Sequence, residues 1–245
     1  MTNDERNLAR IRSSGLTSLS TFDICLLRRS AAKRGTSTFG VGGAFTLIEL
    51  IVVIAIIVVL AGLILSTVGY VQKKGARSRA ETEIAAMSAA CESYKADNGV
   101  YPRDPTANTA TDALNARTMF DPVTTNATLY KAASLVLYRA LSGDRNLDRT
   151  VTAADESLNI DGSALSPPLT QLPKTYFTFR PNQLSPSDQN QLVEFVRDPF
   201  GNSYGYSTAN QADPVTPKGY NPTFDLWSTA GLTSGADSTQ WIKNW

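Results

Sequence analysis

The chain reads as an α+β protein: a long N-terminal α-helix, its first half membrane-embedded and its second half amphipathic, packed on a small, mostly antiparallel β-sheet. Three stretches predict this. Phe45 to Leu65 is an apolar run broken only by Thr46 and Glu49; Ile84, Met87, Cys91 and Tyr94 recur beyond it at helical spacing; and short aromatic and β-rich runs cluster between Tyr176 and Trp227.

At about 1.5 Å per residue the apolar run makes a helix roughly 30 Å long, the hydrocarbon thickness of a bilayer. Glu49 is its anomaly, because a carboxylate in a membrane helix costs on the order of 2.5–3.5 kcal/mol and needs a partner or a proton. No Lys or Arg lies between Glu49 and Lys73 to neutralise it. A cut just before Phe45 would create an α-ammonium within one turn of Glu49, and the same group on an adjacent copy could lie beside it. The positive end of the helix dipole favours the carboxylate there. An ordinary signal anchor carrying a stray Glu is the plainer alternative.

Gly43-Ala44-Phe45-Thr46-Leu47-Ile48-Glu49-Leu50, continuing to Ile57, resembles the class III signal of type IV pilins and type II secretion pseudopilins. The resemblance implies a pilin-like fold. It also implies removal of the leader by a prepilin peptidase, N-methylation of the new terminus and a Glu at its fifth position. Carried onto this chain, Gly43, Ala44 and Phe45 are the processing residues, and Phe45 and Glu49 the assembly residues. The family usually has Gly before the cut, where this chain has Ala44; cutting after Gly43 instead would make Glu49 the sixth residue.

At 245 residues and 18% charged, the chain can hold one sizeable domain on a helical stem, and a net charge of +1 speaks against a nucleic-acid partner. Residues 1–44 carry seven Lys/Arg and three Asp/Glu; taking that +4 from the whole-chain +1 leaves −3 from Phe45 onward. With no histidine in the chain, Ser-His-Asp and Cys-His catalysis and His-ligated metals are excluded, and the reading is of a protein that is not an enzyme. The two cysteines are Cys25, in the leader, and Cys91, so the processed chain cannot close an internal disulfide.

In order, residues 1–44 are a Ser-rich basic leader. Residues 45–71 are the transmembrane and polymerisation half of the first helix, and 72–98 its amphipathic half. Residues 99–245 are a globular head with a loop-rich insert around 103–174. Asp97-Asn98-Gly99 predicts the helix stop, with Pro102 beyond it. Leu129 to Leu141 predicts a second helix ending at Gly143. Strands are expected at Tyr176–Phe179, Leu192–Val196, Tyr204–Ser207 and Phe224–Trp227, with Asp198-Pro199-Phe200-Gly201-Asn202 turning between two of them. Cys91, on the helical stripe, reads as a small buried hydrophobe. The runs Asp198-Pro199-Phe200-Gly201-Asn202 and Phe224-Asp225-Leu226-Trp227-Ser228, with Asn244-Trp245, are similar to the C-terminal half of the major pseudopilin family.

Three motifs bear on chemistry. Gly201-Asn202-Ser203-Tyr204-Gly205 matches a nucleophile elbow, but without histidine Ser203 lacks its usual base. Asp144, Asn146, Asp148, Thr150, Thr152 and Asp155 fall at positions 1, 3, 5, 7, 9 and 12 of a twelve-residue stretch. That is the spacing by which an EF-hand loop wraps Ca²⁺, position 7 through its carbonyl. It resembles the Asp-ended loops of dockerin-like repeats, with Arg149 where Gly makes the sharp turn; a solvated acidic loop is the alternative. The pseudopilin resemblance implies a second Ca²⁺ site between the last strands, for which Asp237 is the acidic residue, with Thr233 and Ser234 nearby.

The sequence therefore points to a structural subunit of a pseudopilus that polymerises from the bacterial inner membrane to drive type II secretion. It would be single-pass with a periplasmic head. The implied partners are copies of itself, minor pseudopilins, the prepilin peptidase, the inner-membrane secretion platform and membrane lipid. A minor pseudopilin or a type IV or DNA-uptake pilin is one alternative; a membrane-anchored calcium-dependent binding module is another, of a different class.

Overall fold

The computed structural model describes residues 45–104, 110–216, 218–233 and 238–245. The leader, with Gly43 and Ala44, and the Ser234 and Asp237 positions lie outside them. The chain divides into two compact units, one ending at Val53 and the other spanning Ile54–Trp245.

Helix α1 runs Leu47–Asn98. It ends where the sequence predicts: Gly99 takes φ +78°, which L side chains avoid, and its N–H closes on the Lys95 carbonyl at 2.7 Å. From Ala80 to Cys91 the helix buries one stripe, made of Ala80, Glu83, Ile84, Met87, Ala90 and Cys91. Burial pushes the Cys91 thiol well above its ordinary value, leaving it inert and apolar, as expected.

Helix α3 covers Ala127–Ser142 and is closed by Gly143 in the left-handed conformation; a single short turn, α2 at Ala110–Ala113, precedes it. Strands β1 (Leu184–Ser185) and β2 (Phe195–Val196) pair antiparallel. Strands β3 (Gly205–Ser207), β4 (Asp225–Ser228) and β5 (Ile242–Lys243) form a second antiparallel sheet with β4 central, and the short helix α4 (Ala209–Ala212) lies between β3 and β4 in sequence. The fold is thus a long N-terminal helix with small antiparallel sheets, α+β as the sequence predicts.

The period-2 alternation of β4 divides the core in two. Leu226 joins Tyr204, Tyr206 and the α1 stripe, with Leu137 and Leu141 of α3. Trp227 points the other way, into a cluster with Leu114, Tyr130, Ala133 and Trp241. Each fully buried side chain of this size stabilises by about 1.5–3 kcal/mol. The α1 stripe also carries a polar clasp: the Tyr204 hydroxyl donates to Glu83 at 2.7 Å, and Arg79 holds the same carboxylate at 2.8 Å.

The expected strand at Tyr176–Phe179 does not form. The N–H groups of Tyr176 and Phe177 both go to the Leu141 carbonyl, at 2.7 and 2.9 Å, so the segment seals the end of α3 instead of pairing with a neighbour. Its aromatic rings still pack on the first core. The expected strand at 192–196 shrinks to β2.

The Asp198–Asn202 turn forms as anticipated, bridging Arg197 to Ser203, and Asp198 is its organiser. One carboxylate oxygen accepts the N–H groups of Phe200 and Asn202 at 3.0 and 2.8 Å, and the other accepts the Ser228 hydroxyl of β4 at 2.5 Å. Burial raises its pKa above the ordinary 3.8, an effect these donors only partly oppose.

Two predictions follow from this packing. A Cβ at Gly205 would collide with the Trp227 indole; Gly205→Ala is expected to destabilise the chain by about 1–3 kcal/mol, read as a lower urea midpoint. Because the folded-state pKa of Asp198 is raised, its contribution to stability is full below the unfolded value and is lost as pH rises through the folded value. The stability of the wild type relative to Asp198→Asn should therefore fall as pH rises above the ordinary value of 3.8, measured by urea unfolding at each pH.

Candidate functional site: an uncovered apolar helix and an acidic loop

Within the first unit, the start of α1 is built by two side chains. Glu49 Oε2 accepts the Thr46 N–H and the Thr46 hydroxyl, both at 3.1 Å, while Thr46 Oγ1 lies 3.3 Å from the Glu49 N–H. This is the reciprocal arrangement of a capping box, with Thr46 as cap and Glu49 at the third helical position. The T-x-x-E spacing carries that signal in the sequence, and reading Glu49 only as a membrane carboxylate passes over it. The cap holds the carboxylate at the helix entrance, one turn from Phe45, which is 82% exposed. It satisfies hydrogen bonds but supplies no positive charge.

Every residue from Phe45 to Gly75 is exposed. Among the described residues, one helix is long and apolar enough to cross a membrane, and its apolar window is entirely uncovered. Isoleucine, leucine and valine side chains from Leu47 to Val71 stand open on all sides, so the helix is hydrophobic all round rather than amphipathic, the character of a segment buried in lipid or among other helices. Lys73, Lys74 and Arg77 mark where that character ends.

In the second unit, Asp144–Asp155 follows α3 as an irregular loop that closes in a 3₁₀ turn at Ala153–Ser157. Asp144 is 1% exposed; its Oδ2 accepts the Tyr138 hydroxyl and the Arg149 N–H, both at 2.7 Å. Asn146 Oδ1 accepts the Asp148 N–H at 3.0 Å, and Asp148 Oδ1 accepts the Thr150 N–H at 2.9 Å. Asp155 takes the N–H groups of Arg145 and Asn146 on one oxygen, at 2.6 and 2.9 Å, and that of Thr152 on the other, at 2.7 Å. Burial raises the pKa of Asp144, and the nearby Asp155 charge adds to the rise; hydrogen bonds from Thr150 and Asn146 lower that of Asp148, whose slight burial opposes them.

The structure therefore brings the predicted loop residues into one turn, with Asp148 at the surface and Asp144 and Asp155 inside. No group of three or more His, Cys, Asp or Glu side chains is gathered at metal-binding distance among the described residues. Beside the loop, a cavity of about 310 Å³ is lined by Tyr138, Asp144, Arg149, Phe177 and Phe179 among others.

Ser203 of the elbow-like motif is 3% exposed and donates to the carbonyls of Tyr130 and Tyr204 at 3.3 and 3.1 Å. It is a packing residue in a turn between strands.

No family model matches the chain, and no solved structure matches it. A curated protein, the type II secretion system core protein G of Pectobacterium carotovorum subsp. carotovorum, is 34% identical over 80 residues, which is 31% of this chain and 51% of that protein. The chain spans about half the length of that relative. The long apolar helix fits a membrane-anchored protein, and the likeness is to a secretion-system protein.

Proposed function

We propose that the chain is a structural subunit, without catalytic activity, that polymerises through its apolar helix into the pseudopilus of a type II secretion system. The observation that carries this reading is the uncovered helix from Phe45 onward with its single carboxylate at the entrance. The similarity to a type II secretion core protein supports it. In the bilayer, lipid covers the apolar side chains; in the filament, the helices of neighbouring copies do.

A prepilin peptidase would hydrolyse the Ala44–Phe45 bond, leaving a carboxylate on Ala44 and an ammonium on Phe45. Glu49, fixed by Thr46 one turn away, then meets the Phe45 ammonium of an adjacent copy. That pairing offsets the cost of a carboxylate in lipid and sets the axial register. The head stays in the periplasm while the subunit waits in the inner membrane, and minor pseudopilins and the inner-membrane platform are its further partners.

Substitution separates the two roles of Glu49. Glu49→Gln keeps an oxygen able to cap Thr46 but removes the charge, whereas Glu49→Ala removes both. The expectation is that pseudopilus assembly, scored by shearing and immunodetection, falls about tenfold or more in both variants, the loss expected when a buried charge goes unpaired. Wild-type assembly by Glu49→Gln would reduce Glu49 to a helix cap and overturn the bridge. N-terminal sequencing of the membrane form should start at Phe45; a chain still starting at Met1 and monomeric in detergent would instead favour a plain anchored module.

A further inference from the structure

The loop Asp144–Asp155 has a feature that its own hydrogen bonds leave unexplained. Asp144 Oδ2 is occupied by Tyr138 and Arg149, and the Leu147 N–H also acts on the carboxylate, but Asp144 Oδ1 is buried and accepts no hydrogen bond of normal geometry. A carboxylate oxygen in that state costs folding free energy unless a donor or a cation completes it. Asp155, whose carboxylate lies within electrostatic reach of Asp144, cannot do so, because it carries the same charge. The chemistry that satisfies both is a hard divalent cation with oxygen donors.

The backbone meets the same requirement. Leu147 and Arg149, at loop positions 4 and 6, take φ +70° and +73°, so Arg149 makes the sharp turn that Gly makes in loops of this spacing. What holds a bulky residue there is its guanidinium, which donates to the carbonyls of Gln191 and Pro186 at 2.9 and 2.6 Å. Leu147 adds a second tie, its carbonyl accepting the Val193 N–H at 3.0 Å. The loop is thereby stapled to the segment that carries β1 and leads into β2.

We propose that Asp144–Asp155 is a Ca²⁺-binding loop whose carboxylates, not gathered at metal-binding distance without the ion, are drawn together by it, with Asp144 Oδ1, Asn146, Asp148, the Thr150 carbonyl, Thr152 and Asp155 supplying the oxygens, and that the ion locks the 184–196 segment to the end of α3. Ca²⁺ suits this set better than Mg²⁺, because a mixture of carboxylates, an amide, a carbonyl and a hydroxyl on an irregular turn does not offer the strict small octahedron that Mg²⁺ demands. The site is distinct in sequence from Asp237, and it does not depend on the filament reading.

The test uses the full chain in detergent, stripped with a chelator and titrated with CaCl₂ or MgCl₂ by calorimetry and thermal unfolding. Saturable Ca²⁺ binding is expected, with the melting temperature rising about 5–10 °C at a hundredfold excess over Kd and a much smaller response to Mg²⁺. Asp148→Asn alters an exposed carboxylate, so it should keep the chelator-state melting temperature and lose about tenfold or more in Ca²⁺ affinity; Asp155→Asn should lose affinity as well. Wild-type affinity in both variants would place any bound calcium elsewhere and overturn the proposal. So would the lack of any Ca²⁺ response up to about 10 mM, above the range of weak extracellular sites. Because binding is read on unassembled chains, either result leaves the filament reading to its own experiment.

Discussion

Burial of one stripe of α1 under the first core is the interaction from which the remainder of the head takes its position. Ala80, Ile84, Met87 and Cys91 meet Tyr204, Tyr206 and Leu226 there, and the strand carrying Leu226 projects Trp227 into the second core. With no disulfide among the described residues, the clasp of Glu83 with Tyr204 and Arg79 is the polar counterpart that fixes how the stripe is seated. A buried carboxylate held by two donors tolerates little sliding of the helix, since any shift strands the charge.

The parts of this fold legible in the sequence are those decided by a few neighbouring residues. Both long helices end at glycines because the αL cap is a local preference, and the turn at Asp198 forms because Asp, Gly and Asn supply the turn geometry on their own. The strands are less legible for the opposite reason. β1, β2 and β5 are two residues each, too short for alternation to register, and they exist because tertiary packing presents a partner. Tyr176–Phe179 has strong β propensity, yet its first two N–H groups are taken by Leu141, so propensity gave way to the open end of a helix.

The candidate sites divide along the same line. The apolar run and its carboxylate are visible by inspection. The capping box of Thr46 and Glu49 is equally legible in the T-x-x-E spacing, although the charge of Glu49 by itself does not point to it. In the acidic loop, the donor spacing is visible in the sequence, while the departure at Arg149 argues against a sharp turn. What rescues that turn is an anchor 37 and 42 residues away in sequence, at Pro186 and Gln191. No local pattern announces a long-range contact of that kind.

The aromatic residues of the second core have an optical consequence. All three tryptophans of the chain, Trp227, Trp241 and Trp245, lie in that one cluster. Trp227 and Trp241 stack at 5.8 Å with ring planes 5° apart, and Trp245 meets Trp227 edge-on at 5.9 Å. The indole fluorescence and the indole part of the near-ultraviolet dichroism thus originate in a single nook between β4 and Tyr130. Such a signal reports melting of the head and stays silent about the apolar half of α1.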